Sequence, residues 1–202
     1  MKQILHIIAS PRGMNSDSTK LANNYLKSLS DIEVDTLNLW QEPLIEFDGD
    51  KAAAKGTFFG FGEMTNTLQT HWDKVVEVID RFKGADEYVI SVPMWNGSIP
   101  YKLKQYIDVI TQPHFTYKFH PDTGYSGLLE NKSARLFFTS GVYGLNTPPS
   151  WGEDYHSTYL KWWLNMIGIT DIKEVRFQPS AVTANPKEEF SIALEKAKNL
   201  SK

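Results

Sequence analysis

The sequence predicts one α/β domain in which helices cover both faces of an open, five-stranded parallel sheet. Three observations lead to this fold class. Apolar runs of strand length alternate with segments of helical period, the first strand enters a serine-rich loop, and the third enters a tight aromatic-Asn-Gly turn. Five strands in this pattern fit the doubly wound order 2-1-3-4-5. The length of 202 residues fits a single domain spanning 1–202.

The first half of the chain contains two predicted strands and two predicted helices. The apolar run at 4–9 predicts a fully buried first strand, and 16–29 predicts the first helix. Alternating residues at 33–37 predict strand 2, and apolar residues at helical spacing predict a helix over 68–82. Between them, 40–62 is predicted to be a long irregular connection, and its four phenylalanines favour an interaction surface or a lid.

The second half continues the same alternation around two irregular segments. Each apolar run is short enough for a strand, and each periodic segment is long enough for a helix. The predicted elements are strand 88–92, helix 99–110, an irregular aromatic stretch at 113–130, strand 134–138, a Gly- and Pro-rich turn at 141–151, helix 156–167, strand 172–177 and helix 187–200.

Composition excludes several classes of function. With 21 basic and 24 acidic residues, the net charge of −3 is too weak to suggest a nucleic acid partner. The absence of cysteine removes disulfides, thiolate metal sites and cysteine nucleophiles, and it is compatible with a reducing, cytoplasmic location. No apolar window approaches the length of a membrane span, so no membrane partner is expected.

The histidines do not predict a metal site. They are scattered, and no H-E-x-x-H or comparable ligand spacing is present, so no metal is expected. His6 lies within an apolar strand, where a histidine is more often a core residue than a base. The nucleophile-elbow pattern G-x-S-x-G is also absent. The five histidines are His6, His71, His114, His120 and His156.

The loop after the first strand has the features of a phosphate site. Ser10, Ser16 and Ser18 offer hydroxyl groups, and the start of a helix offers free N–H groups with a partial positive charge. The Asp17 carboxylate is expected to face away, although its backbone N–H can still donate. The loop lacks the P-loop pattern and the G-x-G-x-x-G pattern. In the alternative interpretation, Ser10 closes a turn and Ser16 only caps the helix.

The loop after the third strand has the features of a site for a planar ring. Met94, Trp95, Asn96 and Gly97 form a turn between a buried strand and a helix, at the sheet edge where ligands bind. Such a turn can present backbone N–H groups and a flat aromatic face to a hydrogen-bonding ring. The alternative is an ordinary strand-to-helix loop. A phosphate site after strand 1 and a ring site after strand 3 would flank the same switch point of the sheet.

These segments resemble the FMN-dependent NAD(P)H:quinone oxidoreductases and azoreductases, which have the flavodoxin-like fold. The resemblance is carried by Ser-Pro-Arg…Ser-x-Ser after strand 1, by Pro-Met-Trp-Asn after strand 3, and by Thr-Ser-Gly-Val-Tyr after strand 4. It covers the whole chain and implies a flavodoxin-like FMN-binding domain. The implied phosphate residues are Ser10, Ser16, Asp17 and Ser18, the implied ring residues are Met94, Trp95, Asn96 and Gly97, and the implied residues at the pyrimidine edge are Ser140, Gly141 and Tyr143.

The chain departs from the family at two of these places. The loop at 139–144 is one residue shorter than the family pattern, and a loop that only turns the chain is its alternative interpretation. Gly97 stands where the family often has Phe, which implies either a more open pocket wall or another aromatic residue in that space. By the same resemblance, Phe119 and Trp163 correspond to pocket aromatics, Trp163 lining the partner subunit's pocket, whereas Trp162 is expected to pack in the core.

The resemblance also implies the reaction. NADH or NADPH would reduce the flavin at N5, and a quinone or azo compound would then take the two electrons at the same ring, in a ping-pong sequence. No catalytic side chain is required, because flavin N5 carries the chemistry. A homodimer is expected, because clustered aromatics in irregular segments typically mark an interface or a ligand site. The alternatives are a flavodoxin-type electron carrier and an NAD(P)H-dependent flavin reductase.

Overall fold

The computed structural model describes residues 1–201 and contains the predicted parallel sheet. Its strands follow the order β2-β1-β3-β6-β7, and all four pairings are parallel. Because β4 and β5 lie outside this sheet, the order is the predicted 2-1-3-4-5. The five strands are β1 (Lys2–Ile8), β2 (Ile32–Asn38), β3 (Glu87–Pro93), β6 (Ser133–Thr139) and β7 (Asp171–Phe177).

Helices connect the strands and agree with the predicted segments to within three residues at each end, α2 excepted. A short 3-10 turn, Gly13–Asn15, precedes the first helix. Among residues 1–201, none of the helices is both long and apolar enough to cross a membrane. The six α-helices are α1 (Asp17–Leu26), α2 (Gly49–Thr57), α3 (Asn66–Lys83), α4 (Tyr101–Ile110), α5 (Ser157–Met166) and α6 (Pro186–Lys198).

Alternate residues of each central strand enter the apolar cores on opposite faces of the sheet. In β1, Leu5 and Ile7 join the larger cluster, together with apolar residues of α3, α4 and α5. Ile4 joins the smaller cluster, which α1 and α6 cover. The central strands are therefore buried on both faces, as their continuous apolar runs predicted.

Two segments predicted to be irregular contain regular structure. Residues 40–62 include α2, which begins where the Asp48 side chain accepts a hydrogen bond of 3.2 Å from the N–H of Lys51. Residues 113–130 include an antiparallel hairpin of β4 (Tyr117–His120) and β5 (Gly124–Gly127). The prediction was wrong here because one short helix and two four-residue strands give little periodic signal.

A buried carboxylate fixes the amino-terminal edge of the sheet. The Glu87 side chain accepts hydrogen bonds from Tyr25 (2.7 Å), Lys2 (2.9 Å) and Ser133 (2.9 Å), and the Nε atom of Arg135 lies 3.6 Å away. These contacts hold β1, β3, β6 and α1 together. They lie at the opposite edge from the loops that the sequence singled out, so they give those loops a rigid base.

Candidate functional site

Three loops leave adjacent strands at the carboxyl edge of the sheet. The N–H of Ala9 donates to the carbonyl oxygen of Ser91 at 3.1 Å, which joins the end of β1 to β3. The N–H of Met94 donates to the carbonyl oxygen of Thr139 at 2.7 Å, which joins the end of β3 to β6. The loops at 9–16, 94–98 and 140–144 therefore start side by side, as the topology predicted.

The serine loop presents free backbone donors at the start of α1. Ser16 occupies the N-cap position, but its side chain makes no capping hydrogen bond. The N–H groups of Asp17, Ser18 and Thr19 donate to no acceptor within residues 1–201. The Asp17 carboxylate pairs with Lys20 at 2.9 Å and so leaves the anion-binding end of the helix. The alternative in which Ser16 only caps the helix is therefore not observed.

The three buried serines of this loop make different hydrogen bonds. The Oγ atoms of Ser16 and Ser18 lie 3.1 Å apart, and Ser18 is fully buried. The Ser10 side chain accepts from the N–H of Arg12 at 3.3 Å, and its carbonyl closes a turn with Gly13 at 3.0 Å. The backbone N–H groups are thus the main free donors of the loop, and the Ser18 hydroxyl is placed to orient that of Ser16.

The loop at 94–98, which we call the ring turn, is a two-residue reverse turn built on the Asn-Gly sequence. Trp95 and Ser98 exchange hydrogen bonds of 2.8 Å and 2.9 Å between their backbones. Between them, Asn96 has φ +49° and Gly97 has φ +80°, the left-handed pair that a type I′ turn requires. Asn and Gly are the residues that adopt this pair most readily, so the local sequence determines the shape of the turn.

This geometry changes which N–H groups can reach a ring. The N–H groups of Met94 and Trp95 already donate, to Thr139 and to Ser98, within the chain. Of the ring residues implied by the resemblance, Met94 and Trp95 therefore have no free backbone N–H group. The N–H groups of Asn96 and Gly97 donate to no acceptor within residues 1–201, and they lie at the tip of the turn.

The space beside Gly97 is partly filled by another aromatic residue. A Cβ atom at Gly97 would lie 3.6 Å from the carbonyl oxygen of Glu153 and 3.9 Å from Cδ2 of Tyr155. The Ser98 hydroxyl also donates to the carbonyl oxygen of Tyr155 at 3.2 Å. Of the two possibilities raised by the missing phenylalanine, the structure favours a wall supplied by Tyr155.

An aromatic cluster not predicted from the sequence joins the serine loop to the ring turn. Trp40, which follows β2, packs against Trp95 with ring centroids 5.5 Å apart and against Tyr101 at 5.4 Å. Its indole N–H donates to the carbonyl oxygen of Ala9 at 3.0 Å. The sequence could have indicated this role only through the position of Trp40. It lies two residues after the end of β2, which places it at the carboxyl edge of the sheet.

The third loop is anchored through its carbonyl groups. The carbonyl oxygens of Ser140 and Gly141 accept from the N–H groups of Ser180 and Ala181, both at 2.8 Å. The N–H groups of Gly141, Val142 and Tyr143 donate to no acceptor within residues 1–201. Burial, together with the negative charge of Asp154, raises the pKa of the Tyr143 phenol, so its hydroxyl stays protonated at neutral pH.

Two histidines are buried among core residues, in positions that do not suit a catalytic base. His156 is fully buried against Phe138, with ring centroids 4.7 Å apart, and burial lowers its pKa to about 4. His6 is 2% exposed, and burial lowers its pKa to about 4 as well. His6 is therefore a core residue, as predicted. Within residues 1–201, no group of histidines and carboxylates is arranged to hold a metal ion.

The two aromatic residues that the resemblance assigns to a pocket differ in their exposure to solvent. Phe119 lies on β4 and is 59% exposed. Trp163 is 2% exposed, and its indole N–H donates to Thr111 Oγ1 at 2.9 Å, so the expectation that it reaches a partner's pocket is wrong. Its neighbour Trp162, which was expected in the core, is 56% exposed. Adjacent helix positions point about 100° apart, and only the ring of Trp163 faces an acceptor inside the domain.

Together, the three loops suit a ligand with a phosphate at one end and a planar, hydrogen-bonding ring at the other. The serine loop offers free N–H groups at a helix N-terminus, where an anion is stabilised. The other two loops offer free N–H groups near exposed aromatic surface. FMN has this combination of a phosphate and a ring, so the residues present fit it.

The fold and these loops define a flavodoxin-like protein. In agreement, the model of a protein family with the description "flavodoxin-like fold" matches residues 2–200. A protein of Ruegeria pomeroyi named FMN-dependent NADH:quinone oxidoreductase is 50% identical over 198 residues, which cover 96% of this chain and 97% of that protein. A protein of the same name from Desulfotalea psychrophila is 36% identical and covers 93% and 90% of the two chains. The chain therefore belongs to the family of FMN-dependent NADH:quinone oxidoreductases.

A solved structure supports the same family. The FMN complex of an FMN-dependent NADH-azoreductase from Bacillus anthracis is 29% identical and superposes with a TM-score of 0.87. That alignment covers 100% of this chain and 98% of the other.

Proposed function

We propose that this enzyme binds FMN and uses NADH or NADPH to reduce quinones and azo compounds by two electrons, in a ping-pong sequence. The observation that carries the proposal is the set of free backbone N–H groups on three adjacent loops of one sheet edge. A helix N-terminus with free N–H groups stabilises an anion, and the free N–H groups of the two neighbouring loops can donate to a ring bound beside it.

The serine loop would hold the phosphate. The N–H groups of Asp17, Ser18 and Thr19 point from the positive end of α1, and the Ser16 hydroxyl is free of any capping bond. Ser18 would act through Ser16, because their hydroxyl oxygens are 3.1 Å apart. Ser10 would shape the loop through its turn with Gly13. No lysine is needed, because a nest of backbone donors can bind a dianion.

The other two loops would hold the ring. Asn96 and Gly97 would donate from the tip of the turn, and Gly141 and Tyr143 would donate to the pyrimidine edge, beside the buried Ser140. Met94 and Trp95 would shape the wall rather than donate. When bound, FMN supplies the hydride and electron chemistry, so the chain need not supply an acid or a base. N–H groups aimed at the ring would stabilise the negative charge that reduction adds.

The spectrum and the kinetics test this proposal. The purified protein should show bound FMN at roughly one per chain and lose its flavin absorbance when NADH is added without oxygen. Initial rates with NADH and a benzoquinone should give parallel double-reciprocal lines, because two substrates use one site in turn. Intersecting lines would contradict the ping-pong sequence. Reduced flavin that no quinone or azo dye reoxidises would instead favour an electron carrier.

The proposed assembly is a homodimer that completes each site. An exposed aromatic surface, which we call the hairpin surface, runs from the β4–β5 hairpin to α5. Phe119 and Tyr125 lie 5.2 Å apart between ring centroids, and Tyr159 and Trp162 lie 6.0 Å apart. Exposed aromatic patches of this kind mark interfaces. Trp162 replaces Trp163 as the residue proposed to reach a second subunit.

Sedimentation equilibrium at micromolar protein tests the dimer. The wild-type chain should sediment as a dimer, and Trp162→Glu should shift it toward the monomer and reduce quinone turnover. Ile192→Glu on α6 is the matched control, because Ile192 is 49% exposed and lies outside the hairpin surface. A monomer with full activity, or a loss of dimer in the control alone, would contradict this arrangement.

A further inference from the structure

A short segment of the chain, residues 153–155, covers the side of the ring turn that Gly97 leaves without a side chain. We call it the wall segment. The carbonyl oxygen of Glu153 and the ring of Tyr155 lie 3.6 Å and 3.9 Å from the place where a Cβ atom of Gly97 would stand. The Tyr155 carbonyl oxygen also accepts from the Ser98 hydroxyl at 3.2 Å. Tyr155 is 64% exposed, so much of its ring is free to contact a molecule bound at the turn.

The wall segment is tied to the sheet through Arg176, the second-last residue of β7. One nitrogen of its guanidinium, Nη1, donates to Oδ2 of Asp154 at 3.3 Å, and the other, Nη2, donates to Oγ of Ser157 at 2.6 Å. The Asp154 side chain in turn accepts from the N–H of Ser157 at 2.6 Å, at the start of α5. Arg176 therefore contacts the chain on both sides of Tyr155.

The guanidinium of Arg176 is itself held in one orientation. Its Nε atom donates to Glu174 at 2.6 Å, and Glu174 pairs with Lys161 at 3.1 Å. The guanidinium carbon lies 5.1 Å from the centroid of the Phe138 ring. A planar fork with a partner on each nitrogen has little freedom to turn. The position of Asp154 is therefore set by β7, a strand of the rigid sheet.

We propose that Arg176 is a positioning residue of the reductase site: through Asp154 it holds Tyr155 beside the ring turn, where the Tyr155 ring packs against the electron acceptor. This inference rests on the function proposed above. Because Gly97 has no side chain, the aromatic wall at this point has to come from another segment. Arg176 takes no part in the electron transfer, so its loss should weaken acceptor binding and leave the rate of the bound complex unchanged.

The oxidative half-reaction of the holoenzyme tests this inference. The flavin of the purified protein is first reduced with one equivalent of NADH without oxygen and is then mixed with a series of benzoquinone concentrations in a stopped-flow instrument. Arg176→Gln should raise the apparent Kd for benzoquinone about threefold to tenfold, the effect of losing one aromatic ring pair, and should keep the limiting rate. Tyr155→Ala should do the same, and because Tyr155 is exposed this variant should keep the wild-type urea midpoint.

A double variant and a control separate positioning from general damage to the fold. If Arg176 acts through Tyr155, then Arg176→Gln combined with Tyr155→Ala should raise the Kd no further than Tyr155→Ala alone. Lys161→Gln is the matched control. It removes a cation of the same cluster, paired with Glu174 at 3.1 Å, and among residues 1–201 Lys161 makes no ion pair with Asp154. The control should bind benzoquinone as the wild type does.

The outcomes distinguish this inference from the proposed function. An unchanged Kd in Arg176→Gln or in Tyr155→Ala, additive effects in the double variant, or an equal loss of affinity in Lys161→Gln would overturn the role of Arg176, although the wild type still reduces benzoquinone. A wild-type flavin that NADH does not reduce, or that benzoquinone does not reoxidise, would overturn the proposed function and this inference with it.

Discussion

The indole N–H of Trp40 donates a hydrogen bond of 3.0 Å to the carbonyl oxygen of Ala9. Ala9 ends the first strand and opens the serine loop, whereas Trp40 belongs to the connection after β2 and packs against Trp95 of the ring turn. One side chain thus contacts both parts of the proposed FMN site. Its position sets the distance between the loop that would hold the phosphate and the turn that would hold the ring.

Replacing Trp40 should weaken FMN without unfolding the protein. Trp40→Phe keeps an aromatic ring against Trp95 but loses the hydrogen bond to Ala9. We expect FMN affinity to fall about threefold to tenfold, which corresponds to one neutral hydrogen bond of about 1 kcal/mol. Flavin fluorescence titration of the apoprotein measures this effect. Unchanged affinity would show that the Ala9 contact plays no part in the site.

The serine loop predicts a non-additive pair of mutations. Ser16→Ala should weaken FMN by about 1.5–3 kcal/mol, the range for a hydrogen bond to a charged group. Adding Ser18→Ala should cost little more, because Ser18 is placed to act through the Ser16 hydroxyl. Isothermal titration of each apoprotein with FMN and with riboflavin checks this, and riboflavin binding should stay the same throughout.

The control lies at the other end of the same helix. The Ser28 hydroxyl donates to the carbonyl oxygen of Tyr25 at 2.6 Å, so Ser28→Ala removes a similar group far from the phosphate loop. It should leave FMN affinity unchanged. Equal losses for FMN and riboflavin in Ser16→Ala would instead mean that the loop does not recognise the phosphate.

The sequence predicted elements with strong periodicity and missed those that depend on tertiary contacts. The apolar runs at β1, β3 and β6 could be assigned because parallel strands are buried on both faces. Trp162 and Trp163 could not be assigned correctly, because neighbouring apolar residues on one helix are distinguished only by what packs against them. The acceptor Thr111, which fixes Trp163, lies 52 residues away along the chain.

In the candidate site, too, the local turn could be predicted from the sequence and the tertiary contacts could not. The Asn96-Gly97 pair carries its own turn signal, so its type I′ geometry was available from the sequence. The sequence did not indicate which N–H groups of the turn remain free to bind a ligand. That depends on Thr139, an acceptor on the neighbouring strand, which takes the N–H of Met94.

The ring turn should be sensitive to a single methyl group. Gly97 has φ +80°, so Gly97→Ala forces a left-handed alanine at a cost of about 1–2 kcal/mol. Gly97→Asn should recover most of that loss, because asparagine tolerates this conformation. The matched control is Gly49→Ala, at a helix start with no atom within 4 Å, which should be neutral or slightly stabilising. Urea unfolding measures all three variants, and equal losses at both glycines would refute the conformational explanation.

Stability should fall as the pH drops from 6.5 to 4, because of two buried histidines. Burial lowers the pKa of His6 and of His156 from 6.5 to about 4 in the folded chain. The unfolded chain therefore binds more protons in this window, so acid favours unfolding. Each histidine costs about 3 kcal/mol once the pH reaches 4, at about 1.4 kcal/mol for each pH unit.

Urea midpoints measured at pH 7, 6, 5 and 4.5 test this slope. His156→Phe should flatten about half of it, because phenylalanine fills a similar space beside Phe138 and takes up no proton when the chain unfolds. The exposed His120 is the control, and His120→Asn should keep the full slope. Hydrogen bonds from Arg81 lower the pKa of Asp35. Hydrogen bonds from Ser157, with the charge of Arg176, lower the pKa of Asp154 against the opposing effect of burial, so these carboxylates lose their contribution only below about pH 4. A slope that stays the same in His156→Phe would place the acid sensitivity elsewhere in the fold.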